Sequence, residues 1–445
     1  MNDALHSVVD RESAISWFLK TRERTAKIFD IITPASYYDQ PIPLRHPVVF
    51  YEGHIPAFGV NTLLKRGLGQ PGVDEKLERL FARGIDPENQ SSSDAATVNS
   101  WPSRKTVQHY AAAADQAILE ALESAEIERH GHPVLGRGQA VFTVIEHEEM
   151  HQETLAYMWH QLPFAKKIQE VDLQGNTEEL VPELARVRVP AGRATLGAEL
   201  DEVPFGWDNE FPRMVVEVPG FAIDRYNVTN QQYLEFVDAG GYLDPRWWGE
   251  GDWQWRVKVD LRYPSFWSQE GGEWFWRGMF TKYPLPLSWP VYVTQAEASA
   301  YARWNGKRLP TEAEFHRAAY GAPDGDERSH PWGEDPPDLT RGHFGFQGWD
   351  PMPVGSFPAG VSAWGIHDLV GNGWEWTSTL FSGFPGFAPM PSYPEYSVDF
   401  FDAKHYVVKG ASPVTATGLV RRSLRNWFRP HYPYPYAGFR CVEDL

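Results

Sequence analysis

The spacing of apolar residues changes once along this chain, near residue 186, and that change constrains the fold more than any other feature. Before it, apolar positions recur at helical spacing; after it, short β-type runs are broken by glycine and proline. Ser13 to Ile32 places Ile15, Phe18, Leu19, Ala26, Ile28 and Phe29 near helical spacing, and Pro34 ends the run. Residues 47–65, 104–129 and 138–162 continue the pattern. Four long helical segments joined by loops predict a four-helix bundle, a scaffold that builds metal sites from inward-facing side chains. Residues 66–103 are weakly patterned, with serines at 91–93, and read as a surface insertion.

Beyond residue 186 the runs at 187–197, 214–230 and 405–414 read as strands. Helix candidates lie at Asn230–Ala239 and Gln295–Trp304, and a third is opened by a cap at Thr311. Long aromatic loops fill the rest. The expected fold class is α+β, with a boundary inside residues 170–188. That gives a helical bundle over 1–185 and a loop-rich domain over 186–445.

With 445 residues, each half is long enough to bury its own core. Aromatics make up 14%, with 19 Trp and 19 Tyr, so the loops of the second half are expected to be pinned by rings. The net charge of −18 argues against a nucleic-acid partner, which wants a basic face. Cys441 is alone, so no disulfide forms within the chain and no site uses two cysteines. The first residues mix acids and bases without an apolar core, so no signal peptide is expected. No run approaches the ~18–20 apolar residues of a membrane span. The expected location is the reducing cytoplasm.

The sharpest local signal is His147-Glu-Glu-Met-His151. Histidines at i and i+4 share a helix face and can share one metal ion. Glu148 follows the first histidine as in zinc proteases, and spacing alone leaves that reading open. His54, flanked by apolar residues, is the candidate third ligand, with His46 as its competitor outside the helix. Three neutral imidazoles suit zinc or iron(II), and spacing does not choose between them.

Six motifs occur in this order: Val189-Pro-Ala-Gly-Arg-Ala-Thr-Leu-Gly197, Asn209-Glu-Phe-Pro212, Ile223-Asp-Arg-Tyr-Asn-Val-Thr-Asn230, Arg308-Leu-Pro-Thr-Glu-Ala-Glu314, Asp368-Leu-Val-Gly-Asn-Gly-Trp-Glu-Trp376 and Gly438-Phe-Arg-Cys441. Together they resemble the formylglycine-generating-enzyme domain, a C-type-lectin-like fold. Formylglycine chemistry needs a cysteine pair that this chain lacks. A DinB-like bundle with a histidine triad, followed by this domain, resembles the ergothioneine-pathway sulfoxide synthases (the EgtB family) over nearly the whole chain. The resemblance implies non-haem Fe(2+) held by His54, His147 and His151. It implies oxygen-dependent joining of a sulfur donor to hercynine, the trimethyl betaine of histidine.

Arg425-Asn-Trp-Phe-Arg-Pro430 matches the family's R-N-W segment, which implies that Asn426 and Trp427 contact hercynine. Members that use γ-glutamylcysteine carry an Asp after this Trp and an Arg four residues later. Phe428 and Tyr432 stand there in this chain, and Met150 stands where those members have Gln before the third ligand. The tandem tyrosine of the cysteine-using members is absent from residues 60–103. Residues 41–54 and 63–69 are most similar to the selenoneine synthase branch (SenA), which joins hercynine to selenium from a selenosugar. Tyr393 and Tyr396 match the family's tyrosine pair facing the iron, which implies a catalytic role for one of them. Arg104, at a helix start, is a candidate for holding a donor hydroxyl or carboxylate. Two other classes stay open from the residues alone: a zinc-dependent DinB-type hydrolase or transferase, and a sugar-binding module.

Overall fold

The computed structural model describes residues 8–82, 101–168 and 181–445. The chain forms two compact units. One contains residues 1–170 together with 203–205 and 389–396; the other contains residues 171–202, 206–388 and 397–445.

The first unit is helical. Helix α1 (Arg11–Asp30) opens on Asp10, whose carboxylate accepts the Ser13 amide. It buries Ala14, Phe18, Thr21, Thr25 and Ile28, a stripe at three- and four-residue steps. Helix α2 (Val48–Gly59) is buried at every position except Glu52, which marks it as the central rod. It runs directly into a π-helical stretch, Val60–Gly67. Gly59 permits the close approach of the next long helix, since a Cβ there would lie 2.6 Å from Ile118 Cδ1. A short helix, α3 (Glu75–Leu80), comes next and ends on buried Phe81.

Helix α4 (Arg104–Ser124) is capped by Ser103 and buries Val107, Tyr110, Ala114, Ile118 and Ala121. It stops five residues short of the expected end. The chain turns there because the His132 ring accepts the amides of Val134 and Leu135. Helix α5 (Gln139–Gln161) starts from Gly138 at φ 64, a conformation that favours glycine. Each large apolar side chain these helices bury contributes about 1.5–3 kcal/mol. Part of the expected insertion is thus α3 and its packed Phe81. The serines at 91–93 lie outside the described residues, as does much of the expected boundary segment.

The second unit carries strands β1 (Arg186–Val189), β2 (Gly192–Leu196), β3 (Met214–Val218) and β4 (Phe221–Asp224). Helices α6 (Asn230–Asp238) and α7 (Glu250–Lys258) come next, then strands β5 (Trp267–Glu270), β6 (Glu273–Arg277) and β7 (Lys282–Pro284). Helices α8 (Gln295–Trp304) and α9 (Glu312–Tyr320) lead to β8 (Gly373–Leu380) and β9 (Tyr406–Ala411). Strands β10 (Asn426–Phe428), β11 (Ala437–Gly438) and β12 (Val442–Asp444) complete it. The sheets order as β1-β4-β12, β10-β9-β8-β11, β2-β3 and β5-β6-β7.

The six ordered motifs build this unit. Thr229, Thr294 and Thr311 each open a helix through a capping box, with Gln232, Glu297 and Glu314. Fully buried Arg440 pairs with Glu375 at 2.6 Å, joining the Gly-Phe-Arg-Cys and Gly-Trp-Glu-Trp segments. Arg425 pairs with Glu312 at 2.9 Å. Asn372, at φ 63, exchanges hydrogen bonds with the Met352 backbone through both side-chain atoms. Val189, Phe221, Ile223, Phe315, Ile366 and Val442 close the core between them.

Candidate metal centre

The helical unit brings His54, His147 and His151 together. One ring nitrogen from each lies within 4.8 Å of the other two, close enough to hold one ion. His46 is not in this cluster; its ring stacks on Phe50 at 4.0 Å instead.

His54 is 1% exposed, on the apolar rod α2. Its Nδ1 sits 2.7 Å from the Phe81 carbonyl, which only accepts, so Nδ1 carries the proton. The Nε2 lone pair is therefore free, and this buried atom has no hydrogen-bond partner. Gly53 makes that bond possible, because a Cβ there would fall 2.4 Å from the Phe81 ring. Such a carbonyl fixes the tautomer and orientation of a ligating histidine.

His147 and His151 stack along one face of α5, with their Nε2 atoms 3.1 Å apart. Burial lowers the His54 pKa to about 4 and drives those of His147 and His151 well below the ordinary histidine value. Mutual repulsion among the three rings adds to the effect. At neutral pH all three are uncharged, which is the ligating form. The chemistry of this donor set fits zinc or iron(II).

The two glutamates between the histidines point elsewhere. Glu148 accepts from Thr25 at 2.6 Å and pairs with Arg22 at 3.1 Å; Arg22 also meets Asp115. Burial raises the Glu148 pKa to about 7 despite Arg22. Glu149 is held by Trp17 and Arg24. Both therefore tie α5 to α1, one step around the helix from the histidines.

The segment 389–396 belongs to the same unit and carries both tyrosines. The Tyr393 ring lies 5.1 Å from Phe58 and 6.1 Å from His147. Phe58 itself stacks on His147 at 3.5 Å and covers that ring. The Tyr396 hydroxyl donates to Met150 Sδ at 3.2 Å. His54, His147, His151, Met150, Tyr393 and Tyr396 thus form one cluster of the helical unit. Arg104, at the start of α4, is engaged with Glu52 at 3.4 Å and lies 5.0 Å over the Tyr37 ring.

Asn426, Trp427, Phe428 and Tyr432 belong to the second unit and cluster there. Asn426 Oδ1 accepts the Trp427 amide at 2.8 Å. Trp427 stacks on Phe381 at 4.0 Å, and Phe428 stacks on Tyr432 with rings 9° from parallel. Arg425 before them, held by Glu312, is a structural anchor. The residues that sequence reasoning did not find are the Phe81 carbonyl and Ser392. Gly53 was a legible sign of close approach beside His54; nothing local marked Ser392.

Residues 172–445 match the Sulfatase-modifying factor enzyme 1-like domain, and residues 18–155 match the DinB superfamily. The chain is 34% identical to a Hercynine oxygenase of Mycobacterium tuberculosis, over 96% of this chain and 97% of that one. It is 33% identical to the Hercynine oxygenase of Mycolicibacterium smegmatis, over 98% and 100%. It is 29% identical to Ergothioneine biosynthesis protein 1 of Schizosaccharomyces pombe, over 93% of this chain and 54% of that protein. No helix among the described residues is long and apolar enough to cross a membrane.

Proposed function

The chain belongs to the hercynine oxygenase family, a DinB-superfamily bundle joined to a sulfatase-modifying-factor-type domain, and on that premise we propose an iron(II)- and oxygen-dependent enzyme. It joins hercynine to a selenium or sulfur donor, and the donor we favour is a selenosugar. The observation that supports the metal assignment most is the meeting of three neutral imidazoles, two of them buried, with two phenols on one helical unit.

His54, His147 and His151 hold the metal. Iron(II) bound there supplies oxygen activation and one-electron chemistry. Phe58 covers His147 and keeps water from that side of the site. The Tyr393 phenol stands beside the ligands as a hydroxyl proton donor, and Tyr396 is steadied by Met150. Asn426 and Trp427 take the hercynine-contacting role. With Oδ1 occupied by a backbone amide, Asn426 offers its Nδ2 donor to the betaine carboxylate. Trp427 offers a ring face to the trimethylammonium, worth ~0.5–2 kcal/mol, while Phe428, the next residue of β10, turns to the other side, against Tyr432.

The donor preference rests on Phe428 and Tyr432. They stack on each other, and Tyr432 is 5% exposed. An amino-acid donor would bring charges to a place where neither side chain can pair them, and unpaired buried charge is costly. A neutral, hydroxyl-rich sugar avoids that cost. The alternative donor is cysteine or γ-glutamylcysteine.

A mass-spectrometric product screen tests both. Hercynine, iron(II) and oxygen are offered with cysteine, γ-glutamylcysteine, a thiosugar and a selenosugar in turn. The expected outcome is a carbon–selenium product with a kcat/KM orders of magnitude above that for γ-glutamylcysteine, and a smaller preference in Phe428→Asp/Tyr432→Arg. Equal use of γ-glutamylcysteine overturns the selenosugar assignment. Full zinc occupancy after anaerobic purification, with no oxygen uptake on adding iron(II), overturns the oxygenase itself.

A further inference from the structure

Thr143, His147 and Met150 lie at steps of four and three on α5, so they form one stripe on one face of that helix. Three residues of the 389–396 segment meet that stripe in the same order. Ser392 Oγ lies 3.0 Å from Thr143 Oγ1. The Tyr393 ring meets His147 edge-on with centroids 6.1 Å apart, and the Tyr396 hydroxyl reaches Met150 Sδ. Ser392 is the best anchored of the three: it is 1% exposed, and Thr143 is fully buried. A second bond holds its backbone, since Arg66 Nη1 donates to the Ser392 carbonyl at 2.7 Å.

Arg66 comes from the π-helical continuation of α2. There the Leu68 amide bonds to the Leu63 carbonyl, five residues back. A π turn holds more residues than an α turn, so it rotates the side chains beyond it about the helix axis, and such turns recur at functional sites. The helix that carries His54 thereby also carries the guanidinium that holds the tyrosine segment.

We propose that Thr143, Ser392 and Arg66 form a positioning clamp that sets the approach of Tyr393 to the histidine cluster. None of the three is a metal ligand. The clamp locks the residue before Tyr393 through a side-chain bond to α5 and a main-chain bond from the π-helical stretch. The phenol is then left only its own side-chain rotations. The proposal rests on the assignment of Tyr393 as the proton donor, and its test separates the two.

Thr143→Val keeps the shape of the buried side chain and removes the hydroxyl; Thr143→Ser keeps the hydroxyl. Both are made in the full chain, alongside Ser392→Ala, with 3-fluorotyrosine at position 393 as a fluorine NMR probe. The expected result for Thr143→Val and Ser392→Ala is unchanged iron stoichiometry and a shifted or broadened fluorine line. Their kcat for hercynine falls roughly tenfold to a hundredfold, as small misplacements do, with KM within about twofold. Thr143→Ser is expected to restore the line and the rate. An unchanged line and kcat in both Thr143→Val and Ser392→Ala overturns the clamp. Parallel loss of iron, KM and kcat also overturns it, since that marks a merely structural role. If wild type consumes no hercynine but the line still moves with Thr143→Val, the clamp stands and the proposed function fails.

Discussion

The two units differ in the buried polar cluster that marks each of them. In the second unit several deeply buried charges are closed into pairs: Arg440 with Glu375, Arg425 with Glu312, Lys307 with Asp224. Arg440 and Arg425 also donate to backbone carbonyls, of His367 and of Ser382 among others, so each pins distant segments. In the helical unit three imidazoles, two of them buried, bring ring nitrogens close to one another, and the His54 Nε2 acceptor has no hydrogen-bond partner. An unmet buried acceptor costs free energy, which a bound cation would recover. Strength of sequence signal and chemical role therefore separate in this molecule. The six motifs that identify the second unit mostly build it, whereas the candidate metal cluster of the first rests on a few residues.

The sharpest way to break this contrast is to remove a ligand. His147→Ala is expected to abolish turnover and to lower iron(II) affinity by more than the about 10- to 100-fold typical of losing a supporting partner. Isothermal titration and metal analysis check it. The near-ultraviolet circular dichroism of the Trp-rich second unit should stay as it was.

Arg440→Met is the mirror experiment. It leaves Glu375 buried and unpaired, so urea unfolding should show a loss of about 3–5 kcal/mol. Iron stoichiometry of the protein that remains folded should be unaffected. A loss of iron binding at full folding would erase the distinction between the units.

pH sharpens the same comparison in the metal-free protein. The His54 pKa is lowered by burial from 6.5 to about 4. The unfolded chain takes up that proton below about pH 6.5, whereas the folded chain resists it until about pH 4. Stability is therefore retained above pH 6.5 and lost as pH falls to about 4, by about 3 kcal/mol for this one group. His54→Phe should flatten that slope in acid titrations followed by denaturant melts. A slope unchanged by the substitution would show that the ring is not held neutral by burial.

The smallest effect concerns a helix start. Thr311→Ala removes the hydroxyl that accepts the Glu314 amide. A loss of about 1 kcal/mol in thermal or denaturant unfolding is expected, with no change at the histidines.

The sequence by itself determined whatever depends on neighbours along the chain. Apolar spacing placed four long helices, and i, i+4 geometry paired His147 with His151. A cap residue placed one helix start in the second unit, at Thr311, and the structure adds capping boxes at Thr229 and Thr294. The end of α4 escaped, because the His132 ring that supports the turn beyond it acts from outside the helical pattern. The roles of Glu148 and Glu149 escaped too, since their partners Arg22, Thr25, Trp17 and Arg24 lie on another helix. Only the tertiary structure decided which nitrogen of His54 is free, through the Phe81 carbonyl. Only it laid Ser392, Tyr393 and Tyr396 along α5, with Ser392 bonded to a residue 249 positions away. The physical reason is that periodicity and capping are set by bonds within a few residues, whereas tautomers and phenol placement are set by whichever distant groups the packed core brings within hydrogen-bond reach.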